Sequence, residues 1–182
     1  YRYFSKLPER IKNRSQKPQV LKTMIGPLDE HLEDHGLGRQ ELTLWVGLTS
    51  AGKSFALAHM ATASLFQKRK VVYFTLEMPP EKIATRMDAA LAGVETLKIR
   101  DYNTLVQRRL LTLEKQFGDN IVFERLISGR GKVSTIRDRL EALIMSKFKP
   151  EVVILDYINL MAPEESSGTR HLDLGQIYVD FI

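Results

Sequence analysis

The chain has no cysteine, so it can form neither disulfides nor cysteine–zinc sites, and it suits a reducing, cytoplasmic setting. Histidine is scarce: four residues, of which only His31 and His35 stand at helical spacing. They lie in an acidic polar stretch and read as solvated surface rather than metal ligands. No apolar run approaches 18 residues, and the N-terminus lacks the apolar stretch of a signal peptide, so nothing here is expected to span or cross a membrane. Internal repeats and low-complexity tracts are absent too. What remains is a 182-residue chain, long enough for one α/β domain with a real core.

Charge is unevenly spread. Residues 1–22 hold seven of the 27 basic side chains (Arg2, Lys6, Arg10, Lys12, Arg14, Lys17, Lys22) and one of the 22 acids, Glu9. The rest of the chain is nearly neutral, so the net +5 belongs to a basic arm. Such an arm suits either nucleic acid or a protein partner. Tyr1, Tyr3, Phe4, Leu7 and Ile11 would give a short helix one apolar side, which favours docking on a neighbouring subunit.

Residues 47–54 read Gly47-Leu48-Thr49-Ser50-Ala51-Gly52-Lys53-Ser54, a complete phosphate loop of the form G-x-x-x-x-G-K-[ST]. Glycines let the backbone turn its N–H groups inward around a polyphosphate. Lys53 supplies a point charge for the terminal phosphates, and the Ser54 hydroxyl suits Mg²⁺. Apolar Leu42–Val46 before the loop predicts a buried strand. Phe55, Ala58, Ala61 and Leu65 after it predict a helix over 53–67 whose N-terminus faces the phosphates. The nucleotide contacts expected from this stretch are Gly47, Thr49, Ser50, Ala51, Gly52, Lys53, Ser54 and Phe55.

Further along, Val71–Leu76 is a continuous apolar run, expected of a strand buried on both faces. Pro79 and Pro80 open a helix to about Ala92, and a second helix covers about Thr104–Phe117. Ile121–Phe123 reads as a short strand. A helix from Ser134 carries Ile136, Leu140, Leu143, Ile144 and Phe148, with Thr135 and Asp138 as a capping-box-like start. Val152–Leu155 is a strand running into Asp156. Alternating strands and helices imply α/β architecture with a parallel sheet and right-handed crossovers. At the end of its strand, Asp156 suits the second Mg²⁺ carboxylate, opposite Ser54. Glu77, ending the Val71–Leu76 strand at the same sheet edge, is placed to polarise an attacking water.

The chain resembles the RecA-like C-terminal ATPase domain of DnaB-type replicative DNA helicases, especially phage-like members, over about Ile25–Ile182. The resemblance rests on Gly36-Leu37-Gly38-Arg39-Gln40-Glu41-Leu42, the phosphate loop, Thr75-Leu76-Glu77-Met78-Pro79 with Arg86 downstream, and Val153-Ile154-Leu155-Asp156-Tyr157-Ile158-Asn159-Leu160-Met161. It implies ATP with Mg²⁺ as the cofactors, Lys53 and Ser54 as phosphate and metal contacts, Glu77 as catalytic base and Asp156 as metal carboxylate. It also implies single-stranded DNA as a partner, gripped by a loop at Ala162–Leu172 with Arg170 the candidate phosphate contact. A hexameric ring, and primase or a helicase loader, are implied as further partners, in the cytoplasm of a bacterial or phage-infected cell.

Under the same resemblance residues 1–24 are a linker and 25–182 the motor core. Arg86 matches the family pattern without acquiring a role. Asn159 departs from the Gln of many members. The core is also incomplete against the pattern, since the sequence ends within an apolar-periodic segment (Leu172, Leu174, Ile177, Tyr178, Phe181). The family's sensing residue, arginine finger and second DNA loop do not stand in it. Two other functions share the constellation: a recombinase- or clock-type ATPase without unwinding activity, and a module that binds ATP for assembly without hydrolysing it.

Overall fold

The computed structural model describes residues 4–14 and 19–181. Of the basic arm, Arg2, Lys17, Tyr1 and Tyr3 lie outside the described residues. The chain forms two compact units, Tyr1–Thr43 and Leu44–Ile182.

In the first unit, α1 (Leu7–Arg14) is the short helix expected of the arm, and Phe4, Leu7 and Ile11 are all exposed. Lys6 and Glu9 pair across one turn at 2.8 Å. A knot of polar groups organises the segment that follows. The Asp29 carboxylate, in α2 (Gly26–His31), accepts the Thr23 N–H and hydroxyl at 2.8 Å each and the Met24 N–H at 3.1 Å. Partial burial pushes this carboxyl up, but the Thr23 and Met24 donors and the Lys22 charge outweigh it and hold it below the usual carboxylate range. Leu21 and Leu37 close the segment with reciprocal 2.8 Å backbone bonds. His31 and His35 are exposed, as expected, and the His31 ring contacts its own helix at the Pro27 carbonyl, 2.7 Å away.

The second unit is a parallel sheet flanked by helices. Helix α3 (Lys53–Phe66) leads to β1 (Val71–Thr75), then α4 (Pro80–Ala92), α5 (Asn103–Phe117), β2 (Ile121–Arg125), α6 (Val133–Met145), β3 (Val152–Asp156) and α7 (Arg170–Asp180). Strand order is β2-β1-β3, all parallel, with Val71 opposite both Ile121 and Val152 and Thr75 opposite both Arg125 and Asp156. Central β1 is buried on both faces, which is why its sequence shows no polar alternation. On one face Val72, Phe74 and Leu76 pack with Leu126, Val133, Ile136, Met161 and Ile177. On the other, Tyr73 packs its ring against Phe123 at 5.8 Å. Helix α4 starts at Pro80, where proline fits a first turn, and stops at Gly93, whose φ of 63° is the left-handed cap glycine adopts readily.

Two expectations need correction. Leu42–Val46 is not a strand: the stretch is irregular and Leu42, Leu44 and Val46 are exposed, Val46 at 91 %. Strand propensity becomes a strand only through a ladder partner. Among the described residues no other segment pairs with this one, and Val153 of β3 stays half exposed. The start of α6 is also built differently. It begins one residue earlier, Lys132 donates its N–H to the Thr135 hydroxyl at 3.3 Å, and Asp138 is exposed. The first-turn donors are taken instead by Glu164, 30 residues on, which accepts the Ser134 N–H at 2.7 Å and its hydroxyl at 3.0 Å. Among the described residues no helix is long and apolar enough to cross a membrane.

Candidate functional site

The phosphate loop favours glycine at two places for two different reasons. At Gly47 a Cβ would sit 3.2 Å from the Ala51 Cβ, so the loop's two arms would have to give by a few tenths of an ångström to admit one. At Gly52 there is room, but φ is +90°, a conformation that strains any L-residue. Ser50 also takes the left-handed region, at φ 63°. Internal bonds hold the turn: Ala51 N–H to the Leu48 carbonyl at 3.1 Å, and Phe55 and Ala56 N–H to the Gly52 carbonyl at 2.9 and 3.0 Å. The Lys53 ammonium donates to the carbonyls of Gly47 and Leu48, each at 2.9 Å, so its charge is fixed at the mouth of the loop. Helix α3 begins at Lys53 with no acidic residue in its first turn, which leaves the positive end of its dipole for an anion.

Residues 54 and 156, separated by 102 positions, meet here. The Ser54 hydroxyl donates to Asp156 Oδ1 at 3.2 Å. Tyr73 donates its hydroxyl to Oδ2 at 3.1 Å, and the Asp156 main-chain carbonyl accepts the Leu76 N–H at 2.8 Å. Asp156 is 1 % exposed. Burial pushes the Tyr73 phenol far up, and the Asp156 charge and hydrogen bond push it further against a smaller opposing effect of Arg86. Tyr73 therefore stays a neutral donor to the carboxylate. Register explains the meeting: Tyr73 lies on β1 beside β3, whose last residue is Asp156.

Glu77 stands two residues beyond Thr75, the β1 residue opposite Asp156, and is exposed at the same sheet edge. Its turn is shaped by Thr75, whose hydroxyl donates to the Met78 carbonyl at 2.7 Å and accepts the Met78 N–H at 3.2 Å. Phe55 follows Ser54 on α3 and lies under the Arg86 guanidinium, 4.2 Å from ring centre to charge. Among the described residues, no group of three His, Asp or Glu side chains gathers as a metal centre. The Ser54–Asp156 pair does fit Mg²⁺, a cation that takes one or two protein oxygens and completes its octahedron with phosphate oxygens and water.

Arg170 stands at the end of the loop expected at Ala162–Leu172. It opens α7, and its guanidinium donates to the carbonyls of Met161, at 3.3 Å, and Asn159. The loop before it is pinned at both ends. Lys132 Nζ holds the Glu164 carbonyl at 3.0 Å, and Asp173 accepts the Ser166 hydroxyl, the Ser167 N–H and the Ser167 hydroxyl at 2.9, 2.7 and 2.6 Å. Tyr73, Thr75 and Glu164 were not legible as site residues, because a tyrosine or threonine in an apolar run reads as strand and a loop glutamate as solvated charge.

A phosphate loop at a helix N-terminus, a hydroxyl–carboxylate pair between that helix and a parallel strand, and an acid at the next strand's end define a RecA-like phosphate-loop α/β domain. The family described as DnaB-like helicase C terminal domain matches residues 21–180. The chain belongs to that family. It is 28 % identical over 160 residues to the replicative DNA helicase DnaB of Buchnera aphidicola subsp. Acyrthosiphon pisum, covering 84 % of this chain and 34 % of that protein. Against DnaB of Haemophilus influenzae it is 29 % identical over 147 residues, covering 78 % and 31 %. The chain thus spans about a third of the length of these relatives. Among solved structures, a DnaB-like replicative helicase, studied with its interactions with primase, superposes with a TM-score of 0.78 at 19 % identity, over 97 % of this chain and 43 % of that one. A second solved structure, of an ATPase domain, also gives 0.78 at 19 %, over 98 % and 63 %. At that identity the two structures speak for the fold.

Proposed function

We propose that this chain is the motor segment of a DnaB-like replicative helicase, which hydrolyses Mg²⁺–ATP and moves along single-stranded DNA. The observation that carries the reading is the Ser54–Asp156 contact beside a complete phosphate loop in a chain of this family. The Gly47–Ser54 loop, with Thr49, Ser50 and Ala51 between its glycines, wraps the phosphates, and Phe55 borders the rest of the nucleotide. Lys53 offsets charge on the terminal phosphates. Mg²⁺, held by Ser54 and Asp156 in the loaded site, supplies Lewis acidity to the same oxygens. Glu77, free at the sheet edge on a turn shaped by Thr75, accepts a proton from the attacking water.

Residues 25–182 act as the motor core in this reading, and residues 1–24 dock on the adjacent subunit of a hexameric ring in the cytoplasm, with primase or a loader as further partners. Loss of the γ-phosphate loosens the subunit contact and shifts the segment Ala162–Leu172 along the strand. Arg170, at the base of that segment, reaches a DNA phosphate by giving up its two carbonyls. Turnover by the full-length polypeptide and by Glu77→Gln tests the chemistry. Retained Mg²⁺–ATP binding with turnover reduced at least about a hundredfold in the variant is expected. Binding without turnover in the wild type would replace the motor with an assembly module.

A further inference from the structure

Beyond residue 22 the chain is nearly neutral, yet residues 125–132, Arg125-Leu126-Ile127-Ser128-Gly129-Arg130-Gly131-Lys132, hold three basic side chains and no acid. They join β2 to α6. They leave the sheet at the end that carries Glu77 and Asp156, because Arg125 and Asp156 both lie opposite Thr75. We infer that this turn is a second contact for the phosphate backbone of single-stranded DNA, fastened to the segment 162–172; the inference rests on the DNA-motor reading above.

Three observations support the assignment. The first is available charge. Arg125 and Arg130 are exposed, and among the described residues neither guanidinium has a hydrogen-bond or ion-pair partner. Lys132 is engaged at the Glu164 carbonyl, 3.0 Å away, and its charge acts on the Glu164 carboxylate, so the two arginines carry the contact. A guanidinium matches two phosphate oxygens at once, and a turn with no acid of its own has a polyanion as its complement. The second is a shape set before binding. The Ile127 carbonyl accepts the N–H groups of both Arg130 and Gly131 at 3.0 Å, which closes the turn and leaves little main chain to order. The Ile127 side chain, 66 % exposed, adds apolar surface for a sugar or a base. The third is continuity with the segment proposed to move along the strand. Gly129 donates its N–H to the Leu160 carbonyl at 2.7 Å, and Ala162 donates its own to the Gly131 carbonyl at 2.8 Å. A strand lying on residues 162–172 therefore has the basic turn beside it.

The test measures binding of a fluorescent oligothymidylate to the full-length polypeptide over a range of salt, with Mg²⁺ and a non-hydrolysable ATP analogue present. Each phosphate contact on a single strand contributes about 0.7 to the slope of log affinity against log salt. Arg125→Gln combined with Arg130→Gln should therefore lower the slope by about 1.4 and weaken binding about tenfold or more at about 0.1 M salt. Arg125→Lys with Arg130→Lys, which keeps both charges, should retain the slope. Both side chains are exposed, so the fold is expected to hold in every variant. An unchanged slope in the glutamine variant would overturn the contact and leave the motor reading intact. Unchanged slope with weaker subunit assembly would overturn it as well, and would assign the turn to an acidic face of a second copy. Equal loss of slope in the lysine variant would overturn it too, because charge would not be what binds. A wild-type polypeptide that does not bind the strand would bring down both readings.

Discussion

Removing one oxygen, in Tyr73→Phe, isolates the bond that holds Asp156 in place. Tyr73 is fully buried and Asp156 1 % exposed, so water cannot replace the 3.1 Å hydrogen bond to Oδ2. A hydrogen bond to a charged group contributes about 1.5–3 kcal/mol, and the remaining ring keeps its packing on Phe123. The expected loss is therefore about 2 kcal/mol. At about 2–4 °C per kcal/mol for a chain of this size, the thermal midpoint falls by about 4–8 °C. Circular dichroism at increasing temperature measures it. The cycle with Asp156→Asn assigns the loss to the pair, with a coupling of about 1 kcal/mol or more. A midpoint within about 1 °C of wild type, or a vanishing coupling, would refute the view that Tyr73 orients this carboxylate.

Other perturbations separate the remaining contacts. The Ser134 N–H and hydroxyl hold the Glu164 carboxyl below its ordinary value of 4.5, helped by Lys132 and Arg137 and opposed by slight burial. A lowered folded-state value means that its stabilising effect is complete above 4.5 and disappears as pH falls through the lower folded value. The amide resonance of Ser134 should accordingly titrate below pH 4.5; titration at or above it contradicts the contact. Gly52→Ala forces a side chain into φ +90° and should cost about 1–2 kcal/mol in thermal unfolding, whereas a neutral result would show that the loop can re-form without that angle. Arg170→Ala should lower the slope of log affinity for single-stranded DNA against log salt by about 0.7, the value for one phosphate contact on a single strand. An unchanged slope with lower thermal stability would leave the guanidinium as a staple for the Asn159 and Met161 carbonyls alone.

Much of the fold was written in local signals. Pro80 and Gly93 mark both ends of α4, the unbroken apolar run marks β1 as central, and Asp156 announces itself by ending an apolar strand. Local signals fail where a distant neighbour decides. Leu42–Val46 has strand propensity, yet without a paired edge its backbone stays irregular. Glu164 caps a helix 30 residues earlier, a relation no capping pattern around Thr135 reveals. Tyr73 looked like one more apolar residue until parallel register set its hydroxyl against the strand carrying Asp156. Arg86 was visible only as an unassigned charge, and its place over Phe55 depends on how α3 and α4 pack.

The motor reading stands or falls on whether nucleotide turnover responds to DNA. Steady-state ATPase activity of the full-length polypeptide, with and without single-stranded DNA at two salt concentrations, reads this directly. The account predicts strong stimulation that weakens as salt rises and disappears in Glu77→Gln. Nucleotide binding with no turnover and no response to DNA would contradict it.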